Sequence, residues 1–351
     1  MAAPHSPHTS PSSLSPHTSP SPPSSHSPHT GWRIAIGFLK TALLVSLLTG
    51  CAQETINNKK PEADEKLAVV STSTILTDLT EELAGDEIAL TGILEPGADP
   101  HVYEPVPADS KAFESAELIV YNGYNLEPGL IKLMNATGVN ARKLAAAEVV
   151  APLRMDYEGQ KVPDPHVWGD VENAIAIVEA IRDDLVALSP EDEPVFTDNA
   201  AQLIATLKKL DIWIEQQMAT IPADKRQLVT SHDAFQYYAE GYGLKIVGTL
   251  IGTSTEEQPS AQTVTKLVED IKKTGVPAIF AETTINPTLI KTVAEEAGVK
   301  LSPQELYSDS IGSPGSEGDS YIKMMVSNTR AIVEALGGTY TPFEPDNIVE
   351  K

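Results

Sequence analysis

From residue 67 onward, short apolar runs alternate with amphipathic stretches. Leu67–Val70, Ile88–Ile93, Leu118–Tyr121, Gln227–Thr230, Lys245–Leu250 and Ala278–Ala281 read as strands. Between them the spacing predicts helices over Thr74–Ala84, Pro107–Ser115, Val171–Leu188, Asp233–Glu240, Ala261–Thr274, Pro287–Ala297 and Asp319–Leu336. Gly85, Gly275, Gly298 and the pair Gly337-Gly338 supply stops. Such β-α alternation predicts parallel strands covered by helices. One stretch breaks the alternation. Across Glu191–Ala219, Leu203, Leu207, Leu210 and Ile214 recur at helical spacing, and Pro222 closes the run. The fold class expected is α/β, with two lobes of similar build (67–188 and 223–351) joined by one long helix (189–222).

The first 66 residues follow another logic. Residues 1–30 are almost all Ser, Pro, His and Thr, with SPHTSP twice. Such a segment has nothing to bury, so disorder is expected. Within residues 31–50, Arg33 and Lys40 accompany short apolar runs, and the segment ends Leu48-Thr49-Gly50 before Cys51. A positive flank, a short apolar core and small residues before a cut describe a secretory signal. Lys40 interrupts the run, which is too short to span a bilayer. With Cys51 at the cut, the segment resembles the lipobox of bacterial lipoproteins. That resemblance implies a lipid on Cys51, membrane attachment through it, and a polar linker over 51–66.

Cleavage there changes two counts. Five of the eight histidines (His5, His8, His17, His26 and His29) lie in the leader, leaving His101, His166 and His232. Arg33 and Lys40 are the only charged residues ahead of Cys51, so 23 basic residues face 49 acidic ones beyond it, net −26 against −24 for the whole chain. That excess argues against nucleic acid or an anionic surface as partner. Cys51 is the only cysteine, which rules out an internal disulfide or a Cys-rich zinc site.

The three remaining histidines fall after predicted strands or between elements, where open α/β sheets bind ligands. His101 and His166 sit in a repeated Asp-Pro-His-Val (99–102 and 164–167); His232 opens the predicted helix at 233. Proline stiffens each loop, and the preceding carboxylates, Asp99 and Asp164, are placed to orient the imidazoles. Glu282, just past a strand, belongs either behind a ligand or on the surface. The polar segment Gly252–Gln258 reads as a loop beside the site. Trp168 and Tyr103 read as core aromatics or as cleft lining.

At these residues the sequence resembles a known family. Gly97-Ala98-Asp99-Pro100-His101 with Tyr103-Glu104-Pro105, Asp164-Pro165-His166-Val167-Trp168, Ser231-His232-Asp233-Ala234-Phe235 with Tyr238, and Leu306-Tyr307-Ser308-Asp309-Ser310 look like the zinc/manganese receptor lipoproteins of ABC importers, the TroA-like family. The resemblance spans roughly Lys66 to Leu336. It implies two α/β lobes bridged by a long rigid helix, and one Zn²⁺ or Mn²⁺ held as cargo by His101, His166, His232 and Asp309. It also implies delivery to separate permease and ATPase subunits, and a monomer on the extracytoplasmic side. Many manganese-selective members carry Glu where this chain has His232. Zinc-type members often carry a His-rich loop where Val149–Pro163 has no histidine. The two features point in opposite directions, so the metal stays open.

Three imidazoles and a carboxylate suit Zn²⁺; a bidentate Asp309 gives the five-coordination that Mn²⁺ tolerates. Four protein ligands leave no open position for a catalytic water, so no enzymatic role is expected. The rival readings are a metallohydrolase, with Glu104, Asp233 or Glu240 as base, and a surface adhesin or structural lipoprotein.

Overall fold

The computed structural model describes residues 66–157 and 160–348. The leader, the signal segment, Cys51 and the linker up to Glu65 lie outside them.

β1 (Leu67–Ser71) is the inner strand of a parallel sheet, which explains why its run is apolar with no polar alternation. α1 (Thr74–Ala84) follows. Ser73 caps it by accepting from the Leu76 amide, and Gly85 ends it at φ +55°. β2 (Ile88–Gly92), α2 (Pro107–Ser115), β3 (Leu118–Tyr121), α3 (Pro128–Thr137) and β4 (Arg142–Ala145) complete this half, with strand order β2-β1-β3-β4. An antiparallel hairpin, β5 (Arg154–Tyr157) and β6 (Gln160–Pro163), leads into the loop of the second histidine. α4 (Val171–Leu188) then packs along α5 (Glu193–Ala219).

α5 has 27 residues, about 40 Å of helix. Beyond it, β7 (Gln227–Thr230) pairs in parallel with β8 (Lys245–Thr249) around α6 (Gln236–Tyr242). α7 (Ala261–Thr274), β9 (Ala278–Ile279), α8 (Thr288–Ala297) and β10 (Lys300–Leu301) follow, with β9 and β10 parallel. The Phe280 amide donates to Val229 O at 2.9 Å, joining β9 to β7. A parallel bridge between Glu282 and Leu306 extends this pairing towards the site. α9 (Tyr321–Ala335) closes the fold against α5. No helix among the described residues is long and apolar enough to cross a membrane.

The two β-α halves share one core. Phe196, Leu203, Leu207, Leu210, Trp213 and Ile214 of α5 belong to a single buried cluster. It runs from Leu67, Leu79 and Ile181 on one side to Tyr238, Phe280 and Met324 on the other. Smaller clusters serve each half alone.

Several boundaries differ from those expected. The long helix starts at Glu193, because Pro190–Asp192 forms a 3-10 turn ahead of it. The last helix starts at Tyr321, where Ser320 accepts from the Lys323 amide and serves as the cap. Most relevant to the site, His232 does not open a helix: residues 231–235 form a loop and α6 begins at Gln236.

Candidate metal centre

The loops of His101 and His166 are built by their own side chains, and that of His232 is held by a remote one. In the first, Gly97 takes φ +85°, a conformation an L side chain resists, and turns the chain back. Asp99 Oδ1 then accepts from the His101 amide at 2.9 Å. The second Asp-Pro-His repeats the device, with Asp164 Oδ1 accepting from the His166 amide at 3.0 Å. Such a bond from an Asp to the backbone two residues on is the local turn this residue favours. His232 lies two residues past the end of β7, and Glu282 Oε1 accepts from its amide at 2.8 Å.

The rings are held differently. His166 Nδ1 lies 2.8 Å from Asp164 Oδ1, and His232 Nδ1 is bonded to Glu282 Oε2. Both arrangements turn Nε2 inward, towards Asp309. Asp164 and Glu282 thus lie behind the His166 and His232 rings, and Glu282 is fully buried rather than at the surface. Asp99 does not touch its histidine's ring. Its second oxygen instead accepts from Thr255 Oγ1 at 2.6 Å.

His101, His166, His232 and Asp309 converge. One donor atom from each lies within 4.8 Å of the others. His101 Nε2 is 3.3 Å from His166 Nε2, and Asp309 lies 3.4 Å from His166 Nε2, 3.1 Å from His232 Nε2 and 4.0 Å from His101 Nε2. Donors about 2.0–2.1 Å from a tetrahedral ion stand roughly 3.3 Å apart. All four residues are at most 5% exposed.

The Asp309 carboxylate decides what this cluster is for. Both its oxygens are buried without a hydrogen-bond partner, although His232 Nε2 lies 3.1 Å away. An unpartnered carboxylate in the interior is expensive, so native folds rarely keep one without a counter-charge. Ring nitrogens and carboxylate oxygens that face a common point are arranged for a cation.

Electrostatics agree. Burial raises the carboxyl's pKa, but His232, His166 and His101 outweigh it and hold Asp309 below the usual carboxylate range. Burial pushes His101 down to about 3, which keeps its imidazole neutral. Burial also opposes a charge on His232, yet Glu282 and Asp309 overcome it and raise that ring well above free imidazole. A proton on His232 and a metal ion therefore compete for the same nitrogen.

Neighbours fix the Asp309 loop. Trp168 Nε1 donates to Ser308 O at 3.0 Å, and its ring meets His166 edge-on at 5.4 Å. The Gly97 amide donates to Ser310 Oγ at 2.7 Å, tying the His101 loop to the Asp309 loop. Ser310 closes the Leu306–Ser310 motif, but Thr255 does not stand out in the sequence as part of the site. Only the polar run Gly252–Gln258 gives a signal for Thr255.

Residues 69–335 match the sequence family described as zinc-uptake complex component A, periplasmic (ZnuA). The chain belongs to the ZnuA family. The manganese-binding lipoprotein MntA of Halalkalibacterium halodurans is 35% identical to this ZnuA-family chain over 295 residues, covering 84% of the chain and 96% of MntA. The metal ABC transporter substrate-binding lipoprotein FimA of Streptococcus parasanguinis is 37% identical over 305 residues, covering 84% and 97%. Among solved structures, the periplasmic zinc-binding protein TroA of Treponema pallidum superposes with a TM-score of 0.73 at 31% identity, over 77% of this chain and 99% of TroA. The ZnuA-family architecture, parallel sheets around a long helix, is common to both.

Proposed function

We propose that this chain is the extracytoplasmic receptor of a metal ABC importer. It captures one Zn²⁺ or Mn²⁺ through His101, His166, His232 and Asp309 and passes it to separate permease and ATPase subunits. The observation that carries the reading is the buried Asp309 carboxylate, without hydrogen bonds and ringed by three imidazole nitrogens. Asp164 and Glu282 orient two of the rings, and Asp99 fixes the backbone of the third ligand. Relatives named for manganese and a structural neighbour named for zinc support cargo drawn from that pair of ions. The N₃O donor set fits both, with intrinsic affinity favouring Zn²⁺.

The chain works as a carrier and not as an enzyme, because four protein donors complete a tetrahedral sphere and leave no site for an attacking water. We assign the lobes to residues 67–188 and 223–351, with 189–222 linking them. A lipid on Cys51 holds the protein, as a monomer, to the membrane outside the cytoplasm.

The test is metal content of the full chain after desalting away loosely held ions. One equivalent of Zn²⁺ or Mn²⁺ is expected. Asp309→Ala and His166→Ala are each expected to lose it while keeping the native circular dichroism. Retention of a full equivalent in both variants would overturn the ligand assignment.

A further inference from the structure

Three of the four donor residues are sealed at 0–1% exposure, while His101 keeps 5%. His101 also lines a cavity of about 560 Å³. Its lining includes Tyr121 at the end of β3 and Tyr124 beyond it, together with Thr253, Ser254 and Glu256 of the loop Gly252–Gln258. The cavity is therefore a path from solvent to the side of the metal centre that His101 guards.

The loop 252–258 supplies none of the four donors, yet it is bonded towards two of them. Gly252 O accepts from the amide of Asp233, the neighbour of His232, at 3.2 Å. Thr255 Oγ1 donates to Asp99 Oδ2 at 2.6 Å, and the other oxygen of that carboxylate holds the His101 amide. One buried-side carboxylate thus joins a ligand loop of one half to a non-ligand loop of the other. A hydroxyl bonded to a carboxylate is among the stronger neutral-donor contacts. A second bond, from Thr253 Oγ1 to Met155 Sδ at 2.9 Å, keeps the loop attached if the first is lost.

We propose that Thr255 is a positioning residue for metal retention. Its bond to Asp99 holds the loop 252–258 across the His101-side passage and sets the rate at which the ion leaves that way. The inference rests on the metal reading above. Without the Thr255 donor, the His101 loop keeps only Gly97 N to Ser310 Oγ among the named ties to the other half. His101, the donor nearest solvent, then detaches first, water reaches the ion through the cavity, and the remaining donors follow.

The experiment loads the full chain with one equivalent of Zn²⁺, desalts it, and mixes it rapidly with excess chromogenic chelator. Thr255→Val, close in shape but without the hydroxyl, is expected to release Zn²⁺ roughly ten-fold faster, since losing a hydrogen bond to a charged group costs about that much. Its bound stoichiometry should stay at one, and its capture rate should change little, because such contacts act mainly on dissociation. Thr255→Ser, which restores the donor, is expected to return to the wild-type rate. That rescue separates the hydrogen bond from a packing effect. Equal release from Thr255→Val and wild type, or release from Thr255→Ser as fast as from Thr255→Val, would sink this proposal alone. A wild-type chain that retains no Zn²⁺ after desalting would sink it together with the metal reading.

Discussion

At the scale of single residues, the site shows how buried charge is managed by pairing. Asp164 and Glu282 each face an imidazole, and Asp309 faces three. Glu127 has no such partner. It is buried, it accepts from Thr72 Oγ1 at 2.8 Å and the Asn122 amide at 2.7 Å, and its second oxygen has no hydrogen bond. Asn122 in turn donates to Pro165 O at 3.0 Å, so this cluster stands directly behind the His166 loop. Burial lifts the Glu127 carboxyl from an ordinary 4.5 to about 7. A raised carboxyl means the folded state holds its proton where the unfolded chain has released it. Stability is then highest below about pH 4.5 and falls as pH rises to about 7, by up to roughly 3 kcal/mol for this group. Glu127→Gln keeps the acceptor for Thr72 and Asn122 and removes the ionisation. In chelator-treated protein it is expected to match wild type near pH 4.5 and to exceed it by about 1–3 kcal/mol at pH 8 in urea unfolding. A variant no more stable than wild type at pH 8 would contradict this account of Glu127.

At the scale of elements, legibility follows how much apolar pattern each element carries. Leu67–Val70 and Leu118–Tyr121 are inner strands with apolar runs, and the sequence places them almost to the residue. β4 reads Arg-Lys-Leu-Ala at a sheet edge and the β5–β6 hairpin is largely polar; neither is visible as a strand. α3 escapes because Pro128 and Gly129 open it and only Leu130 and Met134 of its ten residues are buried. His101 and His166 stand out in the sequence for another reason. Asp-Pro-His encodes its loop within three residues, whereas the Thr255–Asp99 bond joins positions 156 residues apart and leaves no local trace. α5 is the clearest element, and its apolar face predicts its own sensitivity. Leu210 is fully buried in the shared core. Leu210→Ala is expected to cost about 2–5 kcal/mol in equilibrium denaturation. A loss under about 1 kcal/mol would show that this stretch of the helix does not carry the core that we assign to it.

At the scale of the whole molecule, that shared core makes the two halves one thermodynamic object. The main cluster contains residues of helices from both halves together with α5. Metal-free protein should therefore unfold in one transition, with Trp168 at the site and Trp213 on α5 reporting the same midpoint. Saturating Zn²⁺ should raise the melting temperature while keeping the transition single, because an ion bound only by the folded state stabilises all of it. Two separated transitions would show that the halves fold independently, and an unchanged midpoint under saturating Zn²⁺ would show no coupling of metal to the fold. The unbroken α5 has a further consequence. His166 precedes it and His232 follows it, and the span between their supports is set by about 40 Å of stiff helix packed at both ends. The His166 and His232 rings, 5.4 Å apart, are therefore expected to keep that spacing in the metal-free chain. The protein would then measure an ion against a gauge already cut, and a change of ion preference is to be sought in the gauge's mounting as much as in the four proposed donors.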